Sequence, residues 1–219
     1  MFTRLKVLGI AAAAALLVSA QANAATVIDF STGLAGEGGS ISWNGSNYIG
    51  SNIPIGALTV SGAPNNNGVA LVNGYATGSG GGHYGTLDFN TATGMISIAG
   101  CIPGLSIGSV DGNGNCTQPA TLMNGTIQQF DPTSPNGLVR ASGVDTKNQD
   151  LLIALGLSPN TPFEFFGFSF ATNPLSPNGG SSPAISTDIR NTAVPEPATM
   201  MLLGTGLLAA FRKRRTASA

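Results

Sequence analysis

Short apolar or alternating runs, each closed by a cluster of Gly, Asn, Ser or Pro, constrain this chain more than any other feature. Alternation with period two buries one face of a strand, and such clusters end strands in turns. The expected strands are 26–30, 39–43, 57–61, 68–72, 84–90, 94–99, 121–130, 138–142, 163–171 and 184–191. Asn44-Gly45, Asn73-Gly74 and Asn124-Gly125 carry turn chemistry, because both residues tolerate left-handed backbone. Ser-Pro-Asn recurs at Ser134, Ser158 and Ser176, as turn starters at uneven spacing and not as a repeat. Thr86–Phe89 into Met95–Ile98 is the clearest hairpin, with Thr91-Ala92-Thr93-Gly94 as its loop.

One segment has helical character. Residues 148–156 read as a single short helix, with Asn148 or Asp150 as N-cap and Gly156 at its end. The run after it alternates phenylalanines, with Phe163, Phe165 and Gly167 on one face and Phe166, Phe168 and Phe170 on the other. That many aromatic side chains cannot all face water, so the strand is expected to be central and covered on both faces. A sugar-stacking platform is the functional alternative to core. The fold expected is all-β: an antiparallel β-sandwich of jelly-roll type with one short helix. An N-terminal signal helix and a C-terminal membrane helix flank it.

Both flanks carry targeting information. Val194-Pro195-Glu196-Pro197-Ala198-Thr199 precedes an apolar run to Phe211 and the basic cluster Arg212-Lys213-Arg214-Arg215. Ala198–Phe211 bears no charge. At 1.5 Å rise a helix of that length spans about 21 Å, short of the roughly 30 Å hydrocarbon core. Gly204 and Gly206 weaken it further as an isolated helix. The basic side chains offset this by reaching the headgroups, and they belong on the cytoplasmic side. Pro195-Glu196-Pro197 then lies at the outer face as an extended segment, since the prolines block helix. A plain tail anchor is the alternative.

This tripartite tail, residues 193–219, resembles the PEP-CTERM sorting signal of Gram-negative bacteria. The resemblance implies processing by exosortase, a membrane-embedded enzyme. It implies an inner-membrane anchor until processing, and then the cell surface or the extracellular space. Proteins of this kind are common in bacteria that make exopolysaccharide, which implies a surface or biofilm-matrix role by association. The tail is also labelled an ice-binding protein C-terminal domain. No regular Thr-rich repeat accompanies it here, so nothing supports an ice-binding face.

At the other end Arg4 and Lys6 precede an apolar stretch, Val7–Val18, and the small-residue pattern Ala22-Asn23-Ala24. This reads as a secretory signal peptide, 1–24, cut after Ala24 by signal peptidase, with an uncleaved anchor as the alternative. The exported domain is then 25–192, enough for one real core. Six of the nine Lys and Arg lie in the targeting segments, leaving Arg140, Lys147 and Arg190 between them. All ten acids lie there too, counting Glu196; three cations against ten acids is a net of −7. No clustered basic surface remains for nucleic acid or anionic lipid.

Cys101 and Cys116 both fall in the exported part, where an even count in an oxidising compartment points to one disulfide. The catalytic search is nearly empty. Gly104-Leu105-Ser106-Ile107-Gly108 matches the nucleophile-elbow pattern. That motif needs a strand–turn–helix and a downstream His, whereas the only His, His83 in Gly80-Gly81-Gly82-His83-Tyr84, lies upstream. One His also cannot make a zinc site. Asp111, Asn113 and Asn115 have the oxygen spacing of a calcium loop. Cys116 stands where that loop needs Gly, however, and Leu122 where it needs Glu, so a plain turn explains the same residues. Asp29, Glu37, Asp88, Asp131 and Glu164 are raw material for a glycosidase pair about 5 to 10 Å apart. Asn44, Asn115 and Asn124 head glycosylation sequons, which carry little weight in a bacterium. The reading is an exported, exosortase-sorted surface or matrix protein with no catalytic activity and no cofactor, associated with exopolysaccharide. The alternative is a secreted carbohydrate-active hydrolase using a carboxylate pair.

Overall fold

The computed structural model describes residues 25–32, 38–71, 85–131, 138–163 and 166–194. Ala25–Val194 forms one compact unit. The expected signal helix and the expected membrane helix lie outside the described residues. Among the described residues no helix is long and apolar enough to cross a membrane.

The unit is built from strands: β1 (Val27–Ser31), β2 (Gly38–Trp43), β3 (Tyr48–Ile55), β4 (Ala57–Ser61), β5 (Gly68–Leu71), β6 (Gly85–Asn90) and β7 (Met95–Gly100). The two-residue β8 (Ser109–Val110) and β9 (Cys116–Gln118) form a small ribbon of their own. Then come β10 (Ala120–Phe130), β11 (Leu138–Lys147), helix α1 (Gln149–Ala154), β12 (Phe166–Thr172) and β13 (Gly180–Thr192). All pairings are antiparallel.

The all-β class and the antiparallel pairing match expectation, but the two-layer sandwich does not. The order β12-β11-β10-β7-β6-β3-β2-β13 closes on itself through a β12–β13 pairing, so eight strands make one barrel; β1, β4 and β5 extend from β13. Strand β13 causes the closure. Ala184 pairs with Gly38 of β2 on one edge and with Thr172 of β12 on the other. Further along, β1 takes over from β2 on that first edge, pairing residues 188–192. A register shift falls at Pro183, which has no N–H to give a ladder. A long strand bent at a bulge joins what would otherwise be two sheets.

Local rules hold where they are local. The β6–β7 hairpin pairs Asn90 with Met95 across the 91–94 turn, and its inward residues Leu87, Phe89, Ile96 and Ile98 are buried. Asn148 caps α1 by accepting the Leu151 N–H at 3.1 Å, and Gly156 follows at φ +76°. Both described Ser-Pro-Asn segments close turns, Thr161 N–H to Ser158 O and Gly179 N–H to Ser176 O, each 3.0 Å.

Three expectations fail for tertiary reasons. Asn124-Gly125 sits inside β10 and is no turn; a Cβ on Gly125 would meet Asp145 Cβ and Val144 O at 2.8 Å, so neighbouring strands demand a glycine there. Strand β3 was hidden by its turn-forming letters. Asn52, at φ +52°, makes a bulge between Gly50 and Ile53 and the strand continues through Pro54. Finally, β12 is covered on one face only: Phe166, Phe168 and Phe170 are buried while Gly167 is exposed. Phe168 and Phe170 pack with Phe89, Tyr48 and Trp43, ring centroids 4.4–5.4 Å apart, as one aromatic core. None of the described aromatic side chains is exposed, so the sugar-stacking platform finds no support.

Candidate functional site

Outward-facing residues of β11, β12, β13 and β1 bring most of the exported cations and a carboxylate pair onto one face. Strand register fixes the arrangement. Arg140 stands opposite Ser169, which stands opposite Asp188; one rung along, Gly167 faces Arg190, which faces Asp29. Side chains two residues apart share a face, so Arg140, Asp188, Arg190 and Asp29 surround the bare backbone of Gly167. Arg140, Gly167, Asp188 and Arg190 line a shallow depression of about 270 Å³, with Asp29 paired to Arg190 on the next strand. Burial pushes the Asp29 carboxyl up to about 7; its hydrogen bond with Asp188 and that residue's charge add to the rise, against the pull of Arg190. Asp29 therefore keeps its proton at mildly acidic pH. Asp188 and Arg190 were missed in the sequence: alternation puts them on one face, but only register sets them beside Asp29.

The other carboxylates named from sequence do not converge with Asp29. Asp88 Oδ1 accepts the Asn52 N–H at 2.9 Å and so stabilises the β3 bulge. The Asp131 charge, together with burial as the larger cause, raises the Tyr48 hydroxyl above its ordinary value. Glu37 and Glu164 lie outside the described residues, as does His83 with its glycines. Ser106 follows a 3₁₀ turn at φ +57°, with no helix after it, so its segment lacks the strand–turn–helix of a nucleophile elbow.

Asp111 behaves as a turn residue. Its Oδ1 accepts the N–H groups of Asn113 and Asn115 at 2.9 and 2.8 Å, and its Oδ2 accepts Asn115 Nδ2 at 3.0 Å. Those bonds, led by the Asn115 side chain, lower its carboxyl below the usual range. The oxygens that a cation would need are taken by the loop itself. Among the described residues no group of three His, Cys, Asp or Glu could hold a metal ion. Cys101 and Cys116 form the expected disulfide, which is buried and ties the first residue of β9 to the segment after β7.

A second polar cluster is internal. Lys147 Nζ donates to both oxygens of Asp145, at 2.7 and 2.6 Å, and Asn191 Nδ2 donates to Asp145 Oδ2 at 2.9 Å. Both charged side chains are fully buried. The Lys147 ammonium lies 5.0 Å from the centre of the Phe163 ring. Burial lowers the Lys147 amine to about 8, against the opposing pull of the Asp145 charge. The expected strand stops at Ser142, short of Asp145 and Lys147, and Asn191 comes from a strand that shares no ladder with β11.

The barrel ends at the tail. Ala193 pairs with Phe163 in an isolated bridge and donates its N–H to Thr26 O at 2.7 Å; Val194 N–H donates to Pro162 O at 2.9 Å. The residue after the expected signal-peptidase cut and the start of the tail thus lie at one end of the barrel. Of the sorting residues only Val194 is described; Pro195–Thr199 and Arg212–Arg215 lie outside, as do Ala22 and Ala24. Comparison with curated proteins and with solved structures gave no match. Residues 193–215 match the family model of the PEP-CTERM protein-sorting motif, the signal of an exported, exosortase-targeted protein.

Proposed function

We propose that this chain is a cell-surface or matrix module of a Gram-negative, exopolysaccharide-making bacterium, without catalytic activity. The junction carries the reading: Ala193, the last bridged residue of the barrel, is the first residue of the sorting match. The barrel is complete before the signal begins, so trimming the tail would release or relocate a finished domain. Signal peptidase acts after Ala24, and the inner membrane holds the tail until exosortase acts. The polar trough around Gly167 supports weak saccharide contact, because paired carboxyls and guanidinium groups can hydrogen-bond vicinal hydroxyls. Exposed aromatic faces, which strengthen such contacts, are lacking among the described residues.

The hydrolase alternative would have to use Asp29 and Asp188, the close carboxyl pair among the described residues. A carboxyl titrating near 7 suits a general acid. A carboxyl whose rise Asp188 adds to, however, sits too near that residue to leave the roughly 6.5–9.5 Å that an inverting mechanism needs for its water. Purified exported protein should be retained by the producer's polysaccharide, more weakly after Arg140→Ala and Arg190→Ala, and should release no reducing ends. Reducing-end release that Asp29→Asn abolishes would establish the hydrolase instead.

A further inference from the structure

Lys147 and Asn191 are held against one carboxylate in a space closed to water. The Asp145 and Lys147 side chains have no exposure, and Asn191 has none. Both nitrogens bind the same oxygen, Asp145 Oδ2, at 2.6 and 2.9 Å. They can be no farther apart than those two contacts laid end to end, and Asn191 Cγ is one covalent bond beyond Nδ2. Asn191 Oδ1 is buried with no hydrogen-bond partner. Its carbonyl therefore lacks the donor that would hold it as an ordinary structural amide. Residues opposite the cluster, Ile28 and Met123, are themselves fully buried. An amine, an amide and a proton carrier held together in a dry site have the proximity that makes a bimolecular step unimolecular.

We propose that Lys147 and Asn191 become joined by an intramolecular isopeptide bond, with Asp145 carrying the protons. The ammonium first passes a proton to Asp145, leaving a neutral amine; burial already favours that form, as the lowered amine shows. Nζ then attacks Cγ, and the charge that develops on Oδ1 is met by the proton on Asp145. The Cγ–Nδ2 bond breaks as Asp145 relays that proton to Nδ2, which leaves as ammonia, while the attacking nitrogen gives its second proton to Asp145, so that the new amide keeps one N–H and Asp145 ends neutral. One C–N bond forms, one breaks and no oxidant is required. The product replaces a buried cation with a neutral amide, relieving the desolvation cost that two buried charges carry.

The bond would join β11 to β13, strands that share no ladder because β12 lies between them. Strand β13 leads directly into the sorting match at 193–215. Tension on the tail would then reach the barrel wall through a covalent link as well as through hydrogen bonds.

Intact mass of the purified, exported full chain tests it. After the termini and the disulfide are accounted for, the mass should fall short of the sequence by one ammonia. Peptide mapping should find the peptide containing Lys147 joined to the one containing Asn191, with trypsin failing to cut at Lys147. Asn191→Asp should lose one water in place of ammonia. Asp145→Ala should stay at the unlinked mass. A folded wild-type chain at the unlinked mass, or Lys147 in a linear peptide, overturns the proposal even if the Asp145 variant fails to fold. The same missing mass in Asn191→Ala would put the bond elsewhere and overturn it as well.

Discussion

At the scale of single residues, Asp29 gives the exterior a pH dependence whose sign follows from its position. Its carboxyl is raised to about 7 in the fold, from an unfolded value of about 3.9. The folded state therefore binds that proton more tightly. The stability it contributes is fully present below about pH 3.9 and is lost as pH rises through about 7. Thermal unfolding at about pH 4 and about pH 8 should show a wild-type loss that Asp29→Asn largely removes. Equal slopes in the two proteins would mean that the Asp29 carboxyl is neither buried nor paired with Asp188 in solution. Two cross-strand glycines supply a second test. A Cβ on Gly143 would sit 1.9 Å from Thr126 O and 2.9 Å from Phe166 Cε1, whereas one on Gly167 would meet nothing. Gly143→Ala should destabilise by about 1–3 kcal/mol or more through overpacking. Gly167→Ala should stay within about 0.5 kcal/mol. Urea midpoints compare them directly.

At the scale of elements, the least self-sufficient piece is the β8–β9 ribbon. Five residues in two strands, largely exposed, cannot hold a hairpin alone. The Cys101–Cys116 bridge closes this segment across a separation of 15 residues, and Gly108 packs on its sulfur with no room for a Cβ. Replacing both cysteines with Ser should cost up to about 3 kcal/mol, chiefly through the freedom regained by the unfolded chain. Chemical denaturation with and without reductant checks this, and indifference to both treatments would mean that the bridge does not form after export. The contrast between α1 and β3 shows what elements reveal of themselves. Asn148, the apolar residues and Gly156 mark the helix within a single turn of chain. Strand β3 carries Gly50, Asn52 and Pro54, and only its pairing with β2 and β6 turns them into a bulged strand.

At the scale of the whole molecule, one barrel runs up to the sorting match at 193–215. Thr26 and Ala193 meet through a backbone hydrogen bond, so the start of the described chain and the first residue of the sorting match are neighbours. Changing Pro195 and Pro197 to Ala should leave a membrane-retained chain at full tail length, while wild type loses the tail; intact mass of secreted and membrane fractions decides. Wild-type protein that still ends at Ala219 would show that the motif is not used. The folded domain should be unaffected, because the match begins where the barrel's pairing stops.

Whatever depends on neighbouring residues was legible in the sequence alone. Period-two alternation marked β6, β7, β12 and β13, capping chemistry marked α1, and a compositional argument paired the two cysteines. The tail was legible too, since its proline motif, apolar run and basic cluster act as a linear signal. Closure, register and the two polar clusters were decided by tertiary structure. The sandwich expectation failed because nothing local reveals that β13 pairs with β2, β1 and β12 through one bend. Asp29 meets Asp188, and Lys147 meets Asn191, only at one strand register, and a slip of one residue would send each side chain to the opposite face. Such pairings are properties of the closed barrel, whose geometry is set when the aromatic core packs and every strand edge around the ring finds a partner.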